Sequence, residues 1–172
     1  AFTTLARSIV GQQISVKAAQ SVWDKFAALV DGPTHRIQPT AVLALDTPAL
    51  RSAGLSARKA EYLSDLARHF QDGAVHVRQW QTMDDESIID ELVVIRGIGR
   101  WTAEMFLIFH LMRPDVLPLD DLGLLKGISE CYFSGEPVSR AEARELGEGW
   151  APYRSVATWY LWRSLDPLPV EY

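Results

Sequence analysis

The chain has 172 residues, 48% hydrophobic and 23% charged, a composition typical of a globular protein long enough to bury a core. Its formal net charge of -5 argues against a protein that binds nucleic acid mainly by long-range attraction. A single cysteine, Cys131, excludes an internal disulfide and a four-cysteine iron–sulfur cluster, and no apolar run is long enough to span a membrane.

Apolar residues recur at helical spacing along almost the whole chain, and capping residues, glycines and prolines mark the helix ends. The loop DGPTHRIQP separates the second and third predicted helices. No alternating run is long enough for a sheet, so we expect an all-α fold of about ten short helices in two lobes. The predicted helices span residues 2–10, 15–30, 41–45, 48–53, 56–71, 84–95, 102–112, 120–133, 139–150 and 152–165.

Two glycines one residue apart, Gly97 and Gly99, interrupt the stretch VIRGIGRWTAEMF. Glycine is placed where the chain needs a positive φ or a close approach, so we expect a turn too tight for side chains at both positions. The N–H groups at the start of the following helix would form an anion site that suits phosphate. For a bare pair of glycines, an ordinary turn between two helices is the commoner explanation.

Four stretches together resemble the helix–hairpin–helix (HhH-GPD) superfamily of DNA glycosylases, and within it the alkylbase, 3-methyladenine type II, family. They are LVVIRGIGRWTAEMF, SIVGQQIS, LPLDDLGLLKG and WAPYRSVATWYLW, which occur in family-like order and spacing. The resemblance implies one glycosylase domain over 1–172, built of two helical lobes with the active site between them. The sequence opens inside a helical pattern, so we expect that an N-terminal portion precedes Ala1.

The resemblance places the superfamily's catalytic aspartate at Asp121. A carboxylate near the sugar stabilises the oxocarbenium-like cation that forms as an N-glycosidic bond breaks, and it can orient the attacking water. On spacing alone, Asp120 and Asp121 are equally well explained as caps of the following helix. With the resemblance, Asp120 is expected to be the helix cap or a supporting residue.

The base-binding pocket is expected to be aromatic, because an alkylated purine is cationic and electron-rich rings attract it. By resemblance, Trp101 and Trp162 line this pocket, and Met105 occupies a position where some relatives carry a tyrosine. On pattern alone, one helix carries a stripe that is more typical of a hydrophobic core, formed by Trp101, Met105, Ile108 and Met112.

The DNA contacts implied by the resemblance lie in two turns. Gln13 is the expected wedge that fills the gap left by the flipped nucleotide, and Gln12 lies nearer the pocket. Two solvated turn residues are the alternative explanation of this pair. In the hairpin, the expected DNA-binding residues are Gly97, Gly99, Arg100 and Thr102.

No cofactor is expected to be required. Relatives bind a monovalent cation, Na or K, through hairpin carbonyls, and the matching residues here are Val93, Ile95 and Ile98. No histidine has ligand spacing with a carboxylate or with Cys131, so a transition metal is not expected.

The resemblance implies a monofunctional glycosylase that excises alkylated purines from double-stranded DNA as a monomer, without a membrane partner. Two alternatives stay open: a glycosylase for another base lesion, including a glycosylase/lyase, and a helix–hairpin–helix module without catalysis. We expect a cytoplasmic protein, associated with the nucleoid in a bacterium or nuclear in a eukaryote.

Overall fold

The computed structural model describes residues 1–30 and 36–166, and within these ranges it contains ten α-helices and no β-strand. The all-α prediction is confirmed. Most of the predicted loop DGPTHRIQP, residues 31–35, lies outside the described residues. No helix in the described ranges is long and apolar enough to cross a membrane. The helices are α1 Phe2–Gly11, α2 Val16–Val30, α3 Pro39–Leu43, α4 Thr47–Ser52, α5 Ala57–Gln71, α6 Asp85–Val93, α7 Arg100–Phe109, α8 Leu122–Tyr132, α9 Arg140–Glu148 and α10 Arg154–Ser164.

The helix starts follow the capping residues visible in the sequence. Each of four predicted N-caps accepts a backbone N–H of its own helix through a side-chain oxygen, which satisfies one of the unpaired donors at a helix start. The capping box formed with Glu142 is also present at α9. These N-caps are Ser15, Ser56, Asp84 and Ser139.

Most helices differ by one to three residues from their predicted bounds, and three of these differences are informative. The third begins at Pro39 rather than at residue 41, since proline fits the first helical position without losing a needed donor. The seventh ends at Phe109, and Met112, predicted to be helical, has a left-handed φ of 56°. The last begins at Arg154 rather than at Pro152.

The chain divides into two compact units, with the boundary inside α7, between Ala103 and Glu104. In the first unit α5 is central: α1, α3 and α4 all pack against it, and α2 packs against α1. The buried aliphatic and aromatic side chains of this unit form its core and each contributes about 1.5–3 kcal/mol to folding. They include Leu5, Ile9, Phe26, Leu63, Leu66, Ile88 and Leu92.

In the second unit α8 packs against both α9 and α10, around the buried side chains of Leu124, Ile128, Ala143 and Leu161. The contact between α8 and α10 is close because Gly127 has no side chain. A Cβ at that position would lie 3.0 Å from both the Cβ and the carbonyl oxygen of Leu161.

An ion pair fixes the start of α10. Asp115 accepts hydrogen bonds from the Nε and Nη2 atoms of Arg154, at 2.7 and 2.9 Å, and from its backbone N–H at 3.2 Å. The carboxylate thus caps α10 from outside the helix, which explains why the helix begins at Arg154. The guanidinium hydrogen bond holds the pKa of Asp115 below its ordinary value of 3.8.

We expect Asp115→Asn to lower the free energy of unfolding by roughly 1 kcal/mol at pH 7, after allowance for partial exposure of the pair. A lowered pKa means that the carboxylate stabilises the fold above its unfolded pKa and loses that effect as pH falls through the folded value. The difference from wild type, measured by urea unfolding, should therefore be constant from pH 7 to about 5 and shrink below about pH 4. Asp166→Asn, at an exposed pair with Arg163, is the matched control. A difference that does not change down to pH 3 would contradict this account.

Candidate functional site

The hairpin between α6 and α7 is a compact turn. The N–H of Ile95 donates to the carbonyl of Leu92, and the N–H of Ile98 donates to the carbonyl of Ile95, both at 3.1 Å. The N–H of Arg96 donates to Oδ2 of Asp65 on α5 at 2.9 Å. The turn is therefore anchored to the central helix of the first unit.

The two hairpin glycines have different roles. Gly97 has a φ of 86°, and a Cβ there would lie 2.5 Å from Cγ and 2.9 Å from Cε2 of the Tyr62 ring. Gly99 has no left-handed φ, and a Cβ there would meet nothing within 4 Å. The expectation that both positions are too tight for a side chain is therefore wrong for Gly99. Its missing side chain instead leaves open space at the start of α7, where a ligand can approach the backbone.

The first turn of α7 provides the predicted anion site. The carbonyl of Gly99 accepts the N–H of Ala103 at 3.0 Å, which makes Gly99 the residue that begins this helix. The N–H groups of a first helical turn have no acceptor within the helix, and the helix dipole makes them attractive to an anion. Thr102, in this turn, is buried, with only 8% of the residue exposed.

Arg100 has a partner within the protein. Its Nη1 and Nη2 atoms donate to the two carboxylate oxygens of Glu86 at 2.9 and 2.5 Å. This hydrogen bonding lowers the pKa of Glu86 below its ordinary value. The DNA contact predicted for Arg100 would have to compete with this pair, and it stays a prediction.

The turn between α1 and α2 holds the two glutamines in different ways. The Nε2 atom of Gln12 donates to the carbonyl oxygen of Gly97 at 2.7 Å, so its amide is directed at the hairpin within the same unit. Gln13 is exposed and has a left-handed φ of 56°. That conformation costs a residue other than glycine roughly 1–2 kcal/mol, and such strain occurs preferentially at functional positions. The link from Gln12 to the hairpin was missed in the sequence, since the two residues are 85 positions apart.

In the second unit, Asp121 is the N-cap of α8 and is only 9% exposed. Its Oδ1 atom accepts the backbone N–H of Leu124 at 2.6 Å and the indole Nε1–H of Trp162 at 2.7 Å. These two donors fix the plane of the carboxylate. Two residues predicted to belong to the site therefore contact each other directly.

Two roles were expected for Asp120, helix cap or supporting residue; the first is wrong and the second stays a prediction. Asp120 is exposed, and its Oδ1 atom lies 3.0 Å from Nη1 of Arg140. Only one of two consecutive residues can occupy the N-cap position, and the buried carboxylate of Asp121 holds it.

Trp162 reaches Asp121 because α8 carries a glycine at the point of approach. A Cβ at Gly123 would lie 3.1 Å from Oδ1 of Asp121 and 3.1 Å from Cδ1 of Trp162. The Trp162 ring also stacks on Phe109, with centroids 5.7 Å apart and an interplanar angle of 15°. Neither Gly123 nor Phe109 was identified in the sequence. The signal for Gly123 is the spacing of two glycines four residues apart in GLLKG, which share one face of a helix.

The hydrophobic stripe that the sequence predicts on the seventh helix is only partly buried. Ile108 is buried, but Trp101 is 45% exposed, and Met112, which lies beyond the helix end, is 75% exposed. Met105 is half-buried. An exposed tryptophan at the start of the helix is compatible with the predicted pocket role, which stays a prediction.

The predicted monovalent cation also stays a prediction. Val93 is the last residue of α6, and the carbonyls of a last helical turn have no partner within the helix, so the chemistry suits a hard cation. The carbonyl of Ile95 already accepts the N–H of Ile98 and keeps a second lone pair. Within the described ranges, no cluster of three or more His, Cys, Asp or Glu side chains is arranged to hold a metal.

The contrast between the two glycines can be tested directly. We expect Gly97→Ala to lower the melting temperature, because the backbone needs a left-handed residue there and the Tyr62 ring occupies the Cβ position. Gly99→Ala should fold with an unchanged melting temperature and bind duplex DNA roughly tenfold more weakly, as expected if a backbone–phosphate contact of about 1–2 kcal/mol is blocked. Thermal unfolding and fluorescence anisotropy measure the two effects. A destabilised Gly99→Ala protein would contradict the assignment.

Comparisons with known proteins agree with this geometry. A family model described as HhH-GPD superfamily base excision DNA repair protein matches residues 6–152. DNA-3-methyladenine glycosylase 1 of Schizosaccharomyces pombe is 32% identical over 167 residues, which cover 95% of this chain and 72% of that relative.

Solved structures show the same relationship. The DNA-3-methyladenine glycosidase of Bacillus halodurans matches 96% of this chain and 76% of its own, with a TM-score of 0.91 and 37% identity. The 3-methyladenine DNA glycosylase of S. pombe in complex with abasic DNA matches 98% and 83%, with a TM-score of 0.80 and 31% identity. The predicted helix–hairpin–helix glycosylase fold is confirmed, and the chain belongs to the HhH-GPD superfamily of base excision DNA repair proteins.

Proposed function

We propose that this chain is a monofunctional DNA glycosylase that removes alkylated purines, of the 3-methyladenine and 7-methylguanine type, from double-stranded DNA. The observation that carries the proposal is the buried carboxylate of Asp121, which caps α8 and accepts the indole N–H of Trp162. The relatives named above act on 3-methyladenine, which supports the substrate class. We further propose that the protein acts as a monomer.

The chemistry follows from the charge of the substrate. Alkylation of a ring nitrogen makes the purine cationic, so the base leaves as a neutral molecule with the electron pair of the C1′–N bond. The sugar is left with oxocarbenium character, which the negative carboxylate of Asp121 stabilises. Water then adds to C1′ and gives up a proton, and the product is an intact strand with an abasic site.

Hydrogen bonds hold the Asp121 carboxylate in position for this reaction. The backbone N–H of Leu124 and the indole N–H of Trp162 both donate to Oδ1 of Asp121, so the carboxylate is oriented before charge develops on the sugar. The same indole that orients the acid has a π-face, which attracts a cationic base by about 0.5–2 kcal/mol. Trp162 can thus orient the Asp121 carboxylate through its indole N–H and attract the cationic base through the face of its ring.

DNA is held, in this proposal, by the hairpin and by the turn between α1 and α2. Backbone N–H groups at Gly99 and Thr102 bind a phosphate, and Gln13 fills the gap left by the extruded nucleotide. Because Arg100 is paired with Glu86, we expect it to contribute little to the displacement of counterions. The dependence of affinity on salt is accordingly expected to be shallow.

The lyase alternative requires an amine that attacks C1′. The chain has four lysines, Lys17, Lys25, Lys59 and Lys126, and none falls between residues 60 and 125. The position after GIGR, where lyase relatives present a lysine, is a tryptophan. The non-catalytic alternative explains Asp121 and Trp162 only as a structural contact, because phosphate binding by a hairpin needs neither residue.

We expect Asp121→Asn to slow release of methylated base at least about a hundredfold in single turnover, because it removes the charge opposite the developing cation. Asparagine keeps the oxygen that caps α8, so the variant should fold and still bind duplex DNA with an abasic-site mimic. Asp120→Asn is the matched control and loses only an exposed ion pair worth about 0–1 kcal/mol. An active Asp121→Asn protein with an inactive Asp120→Asn protein would reverse the assignment.

Borohydride treatment during turnover tests the monofunctional assignment. A lyase forms a Schiff base with C1′, which borohydride reduces to a stable protein–DNA adduct. We expect base release from alkylated duplex without any adduct on a denaturing gel, next to a known lyase as positive control. A covalent adduct would contradict the proposal, and replacement of each of the four lysines would then identify the nucleophile.

A further inference from the structure

Lys59 lies in a place that is electrostatically unfavourable for a cation. It is in the first turn of α5, where the helix dipole favours negative charge. Its side chain is half-buried, and the burial lowers its pKa. A lysine at this position needs a compensating partner, and the structure provides two.

The Nζ atom of Lys59 donates to the carbonyl oxygens of Val10 and Gln12, at 2.7 and 2.8 Å. Both carbonyls lie at the C-terminal end of α1, which ends at Gly11 and where carbonyls lack partners within the helix. The cation thus caps α1 from the neighbouring helix, at the end where the helix dipole favours positive charge.

Gln12 is consequently held by hydrogen bonds to both its backbone and its side chain. Lys59 binds its backbone carbonyl, and its own side-chain amide donates to the carbonyl of Gly97 in the hairpin at 2.7 Å. The next residue is Gln13, exposed and left-handed. Glycine is the usual residue in that conformation after a helix, so a glutamine there indicates that its side chain is needed.

We propose that Lys59 is a positioning residue for nucleotide flipping: together with the amide of Gln12, it holds Gln13 in the conformation that inserts into the DNA. The inference rests on the proposed function. Lys59 touches neither the reacting atoms nor the phosphate-binding residues, so it acts on flipping rather than on bond cleavage. The contact with the hairpin is made by the side-chain amide of Gln12, within the first unit.

The test measures nucleotide flipping and base excision in separate assays. Flipping is followed by the fluorescence of 2-aminopurine opposite an abasic-site mimic in duplex DNA, which requires no catalysis. Excision is followed as single-turnover release of methylated base from a paired site and from a single-nucleotide bulge. In the bulge the base is already unpaired, so flipping costs less.

We expect Lys59→Met to reduce the fluorescence change and to slow release from the paired site roughly tenfold, the effect of losing hydrogen bonds from a charged donor. Release from the bulge and binding to undamaged duplex should change by no more than about twofold, since the chemistry and the hairpin are untouched. Lys59→Arg, which keeps a charged donor, should restore most of the rate. Lys25→Met removes an exposed lysine of the same unit and should behave as wild type.

A double-mutant cycle with Gln13→Ala completes the test. If Lys59 acts through Gln13, Lys59→Met should add nothing to the loss already caused by Gln13→Ala. Equal slowing at the paired site and the bulge, additive losses in the cycle, or a Lys59→Met protein that does not fold would each overturn the proposal. A wild-type protein that gives the fluorescence change but releases no methylated base would overturn the proposed function, while the fluorescence comparison would still decide the role of Lys59.

Discussion

The hydrogen bond from the indole of Trp162 to Oδ1 of Asp121 is the interaction on which the architecture of the second unit depends. It can form only if α8 and α10 approach closely, and Gly123 and Gly127 permit that approach on one face of α8. The Asp115–Arg154 pair fixes where α10 begins, and therefore which residue of α10 faces the carboxylate. In the proposed mechanism Asp121 is both a helix cap and the catalytic group, so the fold sets the orientation of the carboxylate. This arrangement avoids the reorganisation that a flexible carboxylate would require as charge develops.

The first unit carries the hairpin and the glutamine turn to which the proposal assigns DNA binding. Two of its cations are engaged within the protein: Arg100 pairs with Glu86, and Lys59 donates to backbone carbonyls. The start of α7 adds backbone dipoles, which the absence of a side chain at Gly99 leaves accessible. Dipoles bind a phosphate at short range and attract little at a distance. They suit an enzyme that must distinguish a damaged site from a large excess of undamaged DNA.

The fold was predictable to a large extent because it is built of local signals. Caps such as Ser56, Asp84 and Ser139 act on N–H groups three residues away, so the sequence contains the complete interaction. The sequence predictions failed where a residue distant in the sequence determines the local structure. The start of α10 depends on Asp115, 39 positions away, and the indole that contacts Asp121 belongs to Trp162, 41 positions away. The resemblance identified Asp121, but no local pattern indicates which partner orients it.

The two hairpin glycines show the same limit at a single motif. The sequence GIG suggests one reason for both residues, yet the structure gives them separate reasons. Gly97 is required by the protein itself, through its left-handed backbone and the ring of Tyr62, 35 positions away in the sequence on α5. A Cβ at Gly99 would meet nothing within 4 Å, so the described neighbours do not require a glycine there. In the proposed function a phosphate approaches this position, at the start of a helix whose dipole attracts anions.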